Sequence, residues 1–516
     1  MNKQQLASKI WESANKMRSK IEANEYKDYI LGFIFYKFLS DQELRFLRDD
    51  EWDEDSIRNL TEEDAESVDY IRNNLGYFIP YDRLFSTWIE KKADFTSANV
   101  IEALNSFSNS ISSQYKNVFR NIFITLETGI KKLGDTSQSL TRAIRDLVYL
   151  IKDIPTDGKQ DYDVLGFIYE YLISNFAANA GKKAGEFYTP HEVSTLIAEI
   201  VSYHLKENET IKIYDPTSGS GSLLITIGKA AKKYIRDEEK IKYFAQELKE
   251  NTFNLTRMNL VMRGIKPSNI DVRNADTLHD DWPIENGYDP LRVDAVVSNP
   301  PYSQEWNPEN RENDARYSQF GLAPTKKADY AFLLHCLFHV EPHGIMAIVL
   351  PHGVLFRGGT EEEIRTNLIE KNHIDTIIGL PPNIFFGTGI PTIVMVLRRQ
   401  RPNTDVLIID ASKRFEKKGK NNVLRASDIK KIADIVQERK SEEKFSRVVS
   451  VEEIRANNYN LNIPRYVDSS EDAEKWDIYA LMCGGVPVNE LQELSVWWRL
   501  CPAFKKLSFP MRTMPM

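Results

Sequence analysis

The sequence predicts an α/β protein, in which a doubly wound and mostly parallel sheet lies between an all-α N-terminal domain and a helical C-terminal region. Between roughly residues 160 and 410, short runs of β-branched and other apolar residues alternate with segments of helical periodicity. Such alternation is typical of a parallel sheet that helices cover on both faces. The residues before this stretch repeat apolar positions at helical spacing, and those after it combine helical spacing with runs of charge.

Three domains follow from these patterns: residues 1–155, 156–410 and 411–516. The first is predicted to be helical, because residues 4–40 and 118–151 place large apolar side chains at helical period without strand alternation. It carries no cluster of catalytic residue types, which favours a packing or docking role. Residues 153–158, Asp-Ile-Pro-Thr-Asp-Gly, have the composition of a linker.

Composition restricts the class of protein and its partners. The chain of 516 residues is 42% hydrophobic and 28% charged, as is usual for a globular protein. With no apolar run that would span a bilayer, no recognisable secretory signal and only three scattered cysteines, we expect a cytoplasmic protein without membrane contact or bound metal. The net charge of −8 argues against strong autonomous nucleic-acid binding, because basic contacts to phosphate supply most of such affinity. DNA contact would therefore need a local basic stripe or a more basic partner chain.

A turn rich in small residues follows the first predicted strand, residues 211–214. It reads Asp215-Pro216-Thr217-Ser218-Gly219-Ser220-Gly221-Ser222 and leads into a predicted helix. A strand, a glycine turn and a helix N-terminus place free N–H groups close to a ligand. The turn lacks both G-x-G-x-x-G and the lysine of a P-loop, so phosphate binding is disfavoured. Asp215 instead suggests an acceptor for an ammonium or hydroxyl group.

Acidic residues also mark the ends of the next two predicted strands. Glu247 ends the strand at residues 243–247, where an α/β fold commonly holds a ribose diol. Asp276 ends the strand at residues 270–278, in a position to accept from an adenine amine. Each acid alone is more typical of a solvated turn, and only their recurrence at successive strand ends indicates a nucleoside site.

A flexible basic loop, residues 181–190, precedes the first of these strands. It ends in Phe187-Tyr188-Thr189-Pro190, and the spacing predicts Thr189 as the N-cap and Pro190 as the first residue of a helix at 191–203. The positive end of that helix would suit an anionic group such as a carboxylate. A simple helix cap explains the pattern equally well.

The tetrapeptide Asn299-Pro300-Pro301-Tyr302 ends the apolar strand at residues 293–298. The two prolines stiffen the backbone and leave its carbonyls free. The Asn299 side-chain oxygen and the Pro300 carbonyl can then accept from an exocyclic amine, while Tyr302 stacks on the ring that carries it. An ordinary strand-to-turn junction is the alternative, since Asn-Pro and Pro-Pro are common in turns.

Two later loops are candidates for contact with substrate. The polar loop at residues 303–327 is expected to be mobile or to face substrate. A loop with Phe385, Phe386 and Thr388 joins the strands predicted at 373–380 and 391–397, which should pair antiparallel. Its aromatics suit stacking on an extruded base, although packing accounts for them as well.

With these motifs in this order, the chain resembles the modification subunit of type I restriction-modification systems, an adenine-N6 DNA methyltransferase family that uses S-adenosylmethionine. Its core is a Rossmann-like methyltransferase domain. Residues 185–190 resemble the family's motif for the methionine moiety, residues 215–222 its glycine turn, and Asn299 to Tyr302 its catalytic motif. Residues 387–391 resemble a late motif near the flipped base.

The resemblance implies site residues and partners. The catalytic residues would be Asn299, Pro300, Pro301 and Tyr302, and the base would contact Phe386 and Thr388. The cofactor-binding residues would be Glu186, Phe187, Tyr188, Thr189, Pro190, His191, Asp215, Thr217, Gly219, Ser220, Gly221, Ser222, Glu247, Asp276, Thr277 and Leu278. The expected partners are double-stranded DNA, a specificity subunit that reads its sequence, a second copy of the modification chain and a restriction subunit.

Three other functions stay open from the sequence. Asn-Pro-Pro-Tyr also occurs in enzymes that methylate glutamine side chains of release factors or guanine in ribosomal RNA. Cytosine N4 is an exocyclic amine of similar chemistry, and Asn rather than Ser at position 299 favours adenine only through the resemblance. A chain that binds cofactor but only clamps DNA for a nuclease partner is the rival without catalysis. The tail after residue 496 departs from the family pattern, which puts the final docking helix in doubt.

Overall fold

The computed structural model describes residues 2–17, 26–157, 167–168, 171, 189–235, 237–282, 290–385, 389–470 and 482. The chain divides into two compact units, Met1–Asp468 and Ser469–Met516. All helices and strands bounded within the described residues belong to the first unit. Among them, no helix has both the length and the apolar character that a membrane span requires.

Helices alone form the described N-terminal region, as the sequence predicts. They are α1 (Lys3–Met17), α2 (Tyr26–Asp49), α3 (Glu54–Arg58), α4 (Ala65–Leu75), α5 (Phe85–Glu90), α6 (Ser97–Phe107), α7 (Lys116–Phe119), α8 (Ile124–Gly129) and α9 (Ser137–Ile151). Thr136 caps α9 through a capping box with Ser139. Aromatic side chains fill the centre of this region, where the rings of Tyr36 and Trp88 stack with centroids 4.8 Å apart.

A nine-stranded sheet forms the rest of the core, in the order β11-β8-β6-β7-β5-β4-β1-β2-β3. The strands are β1 (Ile211–Asp215), β2 (Ile241–Glu247), β3 (Ile270–Asn274), β4 (Val293–Ser298), β5 (Val340–Pro351), β6 (Ile374–Gly379), β7 (Thr392–Arg398), β8 (Val406–Asp410) and β11 (Ser446–Val449), while β9 (Glu416–Lys418) and β10 (Asn421–Val423) form a separate hairpin. The pairs from β3 through β5 are parallel, and β7 pairs antiparallel with both β5 and β6. The mostly parallel sheet and its antiparallel pair are confirmed.

Helices cover both faces of the sheet. They are α10 (His191–His204), α11 (Ser222–Ala231), α12 (Glu250–Met262), α13 (Asp329–Phe338), α14 (Thr360–Glu370), α15 (Ala426–Glu438) and α16 (Val451–Ala456). Successive residues of β5 enter two different cores: Ile345 and Ala347 join the cluster that includes α10 to α12, whereas Met346 and Ile348 join the one that includes α13 and α14. This alternation follows from the two-residue repeat of a strand and confirms the doubly wound sheet.

The order of the strands changes direction at β1. From β1 the chain continues to β2 and β3 on one side and then returns to β4, which pairs with the other edge of β1. In open α/β sheets, ligands bind outside the carboxyl ends of the strands at this switch point. The strand ends that carry Asp215 and Asn299 are therefore neighbours at one crevice.

The described part of the region after residue 410, residues 411–470, is only partly helical, which corrects the helical expectation for it. Besides α15 and α16 it contains the β9–β10 hairpin, and β11 joins the main sheet antiparallel to β8. The run Ser446-Arg447-Val448-Val449 is only four residues long and lies beside charged residues, so the sequence pattern does not predict a strand there. Pairing with the edge of β8 supplies the hydrogen bonds that the short run needs.

Arg257 on α12 connects the N-terminal helices to the sheet domain. Its Nη1 donates to the backbone carbonyls of Asn117 at 3.1 Å and Arg120 at 2.9 Å, and its guanidinium lies 4.1 Å from the centroid of the Phe253 ring. The residue is 2% exposed, and burial lowers its pKa to about 9. The two carbonyls would lose their partner if the side chain were removed.

We predict that Arg257→Ala lowers the free energy of unfolding by about 2–4 kcal/mol, because it removes a buried side chain that donates to two carbonyls of the N-terminal region and opens a cavity. Urea unfolding of the full chain measures the change. Arg447→Ala is the matched control, since Arg447 pairs with Glu453 at the surface and should contribute less than about 1 kcal/mol. Equal effects of the two substitutions would contradict the docking role of Arg257.

Candidate active site

The turn after β1 is hydrogen-bonded to the ends of the strands on both sides of it. On one side, the hydroxyls of Thr217 and Ser298 are 2.7 Å apart, which joins the turn to the end of β4. On the other side, the Gly219 N–H donates to Glu247 Oε2 at 3.0 Å, at the end of β2. The crevice predicted from the sequence is thus built around one turn.

Two glycines give this turn its shape. Gly219 and Gly221 have φ values of 56° and 74°, in the left-handed region that side chains disfavour. A Cβ on Gly221 would also lie 3.3 Å from Thr256 Cγ2. Ser220 is buried in the turn, and Ser222 is the first residue of α11. The backbone of the turn therefore packs closely against Thr256 and leads directly into the N-terminus of α11.

Polar side chains of α12 hold the outer side of the turn, and the sequence analysis missed them. Thr256 Oγ1 donates to the Gly219 carbonyl at 2.7 Å and lies 3.0 Å from Ser218 Oγ. Asn259 Nδ2 donates to the Ser220 carbonyl at 2.8 Å. In the structure, α12 is buried from Asn254 to Met262, so its polar residues need partners within the protein. The sequence alone does not show this burial.

The third predicted acid, Asp276, lies in the loop after β3 and not at the strand end, because β3 stops at Asn274. Its Oδ1 accepts from the Leu278 N–H at 3.0 Å and the His279 N–H at 3.4 Å, which folds the loop back on itself. Thr277 Oγ1 donates to the Pro216 carbonyl at 2.5 Å. This bond joins the loop to the turn after β1, so the predicted nucleoside residues are brought together.

The side-chain amide of Asn299 is held from both ends. Its Nδ2 donates to Thr189 Oγ1 at 2.9 Å, and its Oδ1 accepts from the Tyr302 hydroxyl at 2.8 Å. Both partners are hydroxyl groups, and together they hold the amide in place. Pro300 is buried and Pro301 is half-buried, which keeps the motif rigid.

Tyr302 and the residue after it are held by aromatic and acidic neighbours. The Tyr302 ring meets Phe385 edge to face, with centroids 6.1 Å apart, and burial raises the pKa of its hydroxyl well above the usual value. The buried carboxylate of Asp329 accepts from the Ser303 N–H at 2.8 Å and from Arg357 Nη1 at 2.9 Å. Asp329 was also missed, since nothing in its local sequence distinguishes it from an N-terminal helix acid.

The predicted cap of α10 was wrong. The helix begins at His191 with Pro190 in the N-cap position, and no side chain caps it. The hydroxyl of Thr189 accepts from Asn299 instead, so a residue that suits a cap by type supports the Asn-Pro-Pro-Tyr motif. The predicted site residues Glu186, Phe187, Tyr188, Phe386 and Thr388 lie outside the described residues.

The carboxyl group of Asp215 is buried at the centre of the crevice. Burial raises the pKa of this group to about 8, and the charge of Glu247 raises it further by a smaller amount. The hydrogen bond from the Thr217 N–H, at 3.0 Å, acts in the opposite direction and lowers the pKa. A carboxyl group in this state gains a full negative charge when a cation arrives beside it. The crevice, with Asp215 and Glu247 on adjacent strands, thus suits a positively charged ligand that also offers hydroxyl donors.

Comparisons with known proteins agree with this geometry. The family described as N-6 DNA Methylase matches residues 160–475, and the HsdM N-terminal domain matches residues 6–151. The chain is 34% identical over 504 residues to the type I restriction enzyme MpnII methylase subunit of Mycoplasma pneumoniae, covering 92% of this chain and 91% of that protein. It is 30% identical to the MjaVII methylase subunit of Methanocaldococcus jannaschii, covering 88% of this chain and 76% of that protein.

A solved structure gives the same result. The type I restriction-modification methyltransferase subunit from Streptococcus thermophilus superposes with a TM-score of 0.81 at 40% identity, covering 91% of this chain and all of that one, 100%. At this identity the likeness extends beyond a shared fold.

We predict that Asp215→Asn stabilises the ligand-free protein, and increasingly so as the pH rises. The folded pKa of about 8 lies above the unfolded value of 3.8, so the stability from the neutral carboxyl is complete below the unfolded pKa and disappears as the pH rises through the folded one. Relative to wild type, Asp215→Asn should gain about 2–5 kcal/mol between pH 4 and pH 8.

Urea unfolding of both proteins at several pH values, without ligand, measures this difference. Glu90→Gln, at an exposed helix position, is the control and should show no such trend. A constant difference between Asp215→Asn and wild type across this range would show that the Asp215 carboxyl group is ionised in the folded protein.

Proposed function

This chain belongs to the N-6 DNA methylase family, as a methylase subunit of a type I restriction-modification system, and we propose that it methylates N6 of a flipped-out adenine in double-stranded DNA at the crevice between β1 and β4. The observation that carries the proposal is the Asn299 amide. Thr189 and Tyr302 hold it at the switch point of the sheet, directly after the end of β4. The turn after β1 lies beside this motif, since Thr217 is hydrogen-bonded to Ser298, the residue before Asn299.

S-adenosylmethionine is the proposed cofactor, and it supplies a methyl group on a positively charged sulfur. The donor set fits this group, because Asp215 suits its cationic methionine part and Glu247 suits its ribose hydroxyls. The left-handed glycines Gly219 and Gly221 leave room for a close approach of the ligand to the backbone. Asp276, Thr277 and Leu278 then form the adenine side of the pocket. We assign Pro190, His191 and the residues before them to the methionine end.

The catalytic role of the motif is to prepare a poor nucleophile. The lone pair of adenine N6 is delocalised into the ring, and acceptors at Asn299 Oδ1 and the Pro300 carbonyl favour a pyramidal nitrogen with a localised lone pair. Tyr302 orients the acceptor through its hydroxyl and offers its ring to the base. The target atom is unreachable within a duplex, so the base must leave the stack to meet these groups. Positioning by a rigid motif supplies much of the rate enhancement.

Sequence recognition is assigned to a separate chain. A net charge of −8 makes strong autonomous DNA binding by this chain unfavourable. We propose that a specificity subunit reads the DNA in the cytoplasm, that two copies of this chain clasp it, and that a restriction subunit joins the assembly. The N-terminal helices of residues 1–155 and the region 411–516 are the proposed docking and assembly surfaces around the catalytic domain at 156–410.

We predict that Asn299→Ala abolishes methylation, by at least about a hundredfold, while S-adenosylmethionine binding is largely retained, because Asn299 acts on the base and not on the cofactor. Mass spectrometry of nucleosides in DNA from cells that express the chain with its cognate specificity subunit gives the product. Asn74→Ala, at an exposed helix position, is the matched control.

The outcomes of this experiment separate the rival functions. N6-methyladenine that is lost in Asn299→Ala supports the proposal. N4-methylcytosine would keep the fold and change the substrate. No modified base from a correctly assembled complex would favour a clamp without catalysis, or an RNA or protein substrate.

We predict a graded effect at the partners of Asn299. Tyr302→Phe keeps the ring but removes the hydroxyl that orients Asn299 Oδ1, so kcat should fall about tenfold, the equivalent of one ordinary hydrogen bond. Tyr302→Ala also removes the stacking surface and should cost about tenfold more. Thr189→Val should resemble Tyr302→Phe, and Thr189→Ser, which keeps the hydroxyl, is its control. Wild-type kcat in Tyr302→Phe would rule out the orienting role of the hydroxyl.

A further inference from the structure

The loop that follows the catalytic tetrapeptide carries a buried arginine whose partners belong to the cofactor side of the crevice. Arg316 is 3% exposed, and its Nη1 donates to the Thr277 carbonyl at 3.0 Å. Its Nη2 donates to the Leu278 carbonyl at 3.4 Å and to Asp314 Oδ2 at 2.7 Å, and its Nε donates to Asp314 Oδ1 at 3.0 Å. The Arg316 guanidinium thus holds the loop that follows Asp276, while the Asp314 carboxylate balances the charge of the guanidinium.

A directional chain of hydrogen bonds continues from the same guanidinium. Arg316 Nη1 donates to His335 Nδ1 at 3.1 Å, which makes that nitrogen an acceptor and leaves the ring proton on Nε2. His335 Nε2 lies 3.1 Å from the Tyr214 hydroxyl, and the hydroxyl donates to Gln246 Oε1 at 3.2 Å. Gln246 Nε2 then donates to the Asp280 carbonyl at 2.8 Å.

The chain of hydrogen bonds runs through residues that are next in sequence to those assigned to the cofactor. Tyr214 precedes Asp215 on β1, and Gln246 precedes Glu247 on β2. Because successive residues of a strand point to opposite faces, the network braces the strand ends from the side away from the turn. It begins in the loop after the catalytic motif and ends in the loop after Asp276, so it links the two halves of the crevice.

The same cluster has the spacing of a metal site, with ligand atoms of Asp281, His335 and His339 within 4.8 Å of one another. The Arg316 guanidinium argues against a metal ion there, because it donates to His335 Nδ1 and lies 3.9 Å from Asp281 Oδ2. Burial would raise the pKa of Asp281, but the hydrogen bond with His339 and the nearby His335, His339 and Arg316 lower it to about 2. The arginine therefore serves as the cation of this cluster.

We propose that Arg316 is a positioning residue that fixes the loop of residues 276–280, and thereby makes the pocket selective for the adenine ring of the cofactor. The proposal rests on the proposed function, since it takes S-adenosylmethionine as the ligand. Asp276 is assigned to the adenine amine. Its loop keeps one conformation because Arg316 donates to the carbonyls of Thr277 and Leu278. Without the guanidinium, those carbonyls lose their donor and the loop loses the geometry that reads the amine.

The test compares two ligands that differ only at the edge of the purine that carries the amine: S-adenosylhomocysteine has the amine and an unprotonated N1, and S-inosylhomocysteine has a carbonyl and an N1–H. A site built to accept from the amine should bind the first at least about tenfold more tightly in the wild-type protein. Arg316→Met should weaken the binding of S-adenosylhomocysteine about tenfold or more, and it should bring the ratio of the two Kd values close to one. At saturating S-adenosylmethionine, kcat should stay within about threefold, since Arg316 does not touch the reacting atoms.

Two further variants keep the test decisive if Arg316→Met folds poorly. Tyr214→Phe removes one oxygen from the middle of the chain and should lower the ratio about threefold. The matched control is Arg365→Met, because Arg365, like Arg316, is buried and donates to backbone carbonyls, those of Val354, Arg357 and Tyr459. It should lower the melting temperature and leave the ratio unchanged.

Three outcomes would overturn the proposal. If Arg316→Met and Arg365→Met lower the melting temperature alike and both keep the wild-type ratio, Arg316 is only structural. A stoichiometric metal ion in the purified wild-type protein that is lost with His335→Gln would assign the cluster to metal binding. A wild-type protein that binds neither ligand fails the proposed function itself, whereas binding and methylation with an unchanged ratio in Arg316→Met overturn only the role of Arg316.

Discussion

The turn between β1 and α11 is the constraint on which the rest of the site depends. It bonds to β4 through Thr217, to β2 through Gly219 and to the loop after β3 through the Pro216 carbonyl. Each of these bonds involves a different strand end, so the turn adopts this conformation only when all of these strands are in register. The glycine at position 221 is required for the same reason, because a side chain there would strain the backbone and press on Thr256.

Local sequence patterns predicted the strands β1 to β4, β6 and β7, their alternation with helices and the acids at the ends of β1 and β2. These features depend on residues within a few positions of one another, and a strand that is buried on both faces has a recognisable composition. The supports of the site could not be predicted in this way. The bond from Thr256 to Gly219 spans 37 residues and the bond from Asn299 to Thr189 spans 110, so they exist only once the fold has brought the partners together.

Two of the errors have a common cause. Thr189 suits a helix cap, and the residues around Ser446 lie in a region predicted to be helical, yet the fold uses each otherwise. Local propensity offers several acceptable states at such positions, and a tertiary hydrogen bond or an open strand edge decides between them. For Asp215 the opposite holds: its position was predictable, but its raised pKa depends on burial that only the assembled sheet provides.

The placement of α12 explains why the N-terminal helices and the catalytic crevice belong to one structure. Thr256 faces the turn after β1, whereas Arg257, the next residue, donates to carbonyls of the N-terminal region. Successive residues of a helix point about 100° apart, so one turn of α12 serves both sides. Docking of the N-terminal helices therefore fixes the helix that holds the turn, and the geometry of the cofactor pocket is coupled to a domain that carries no catalytic residue of its own.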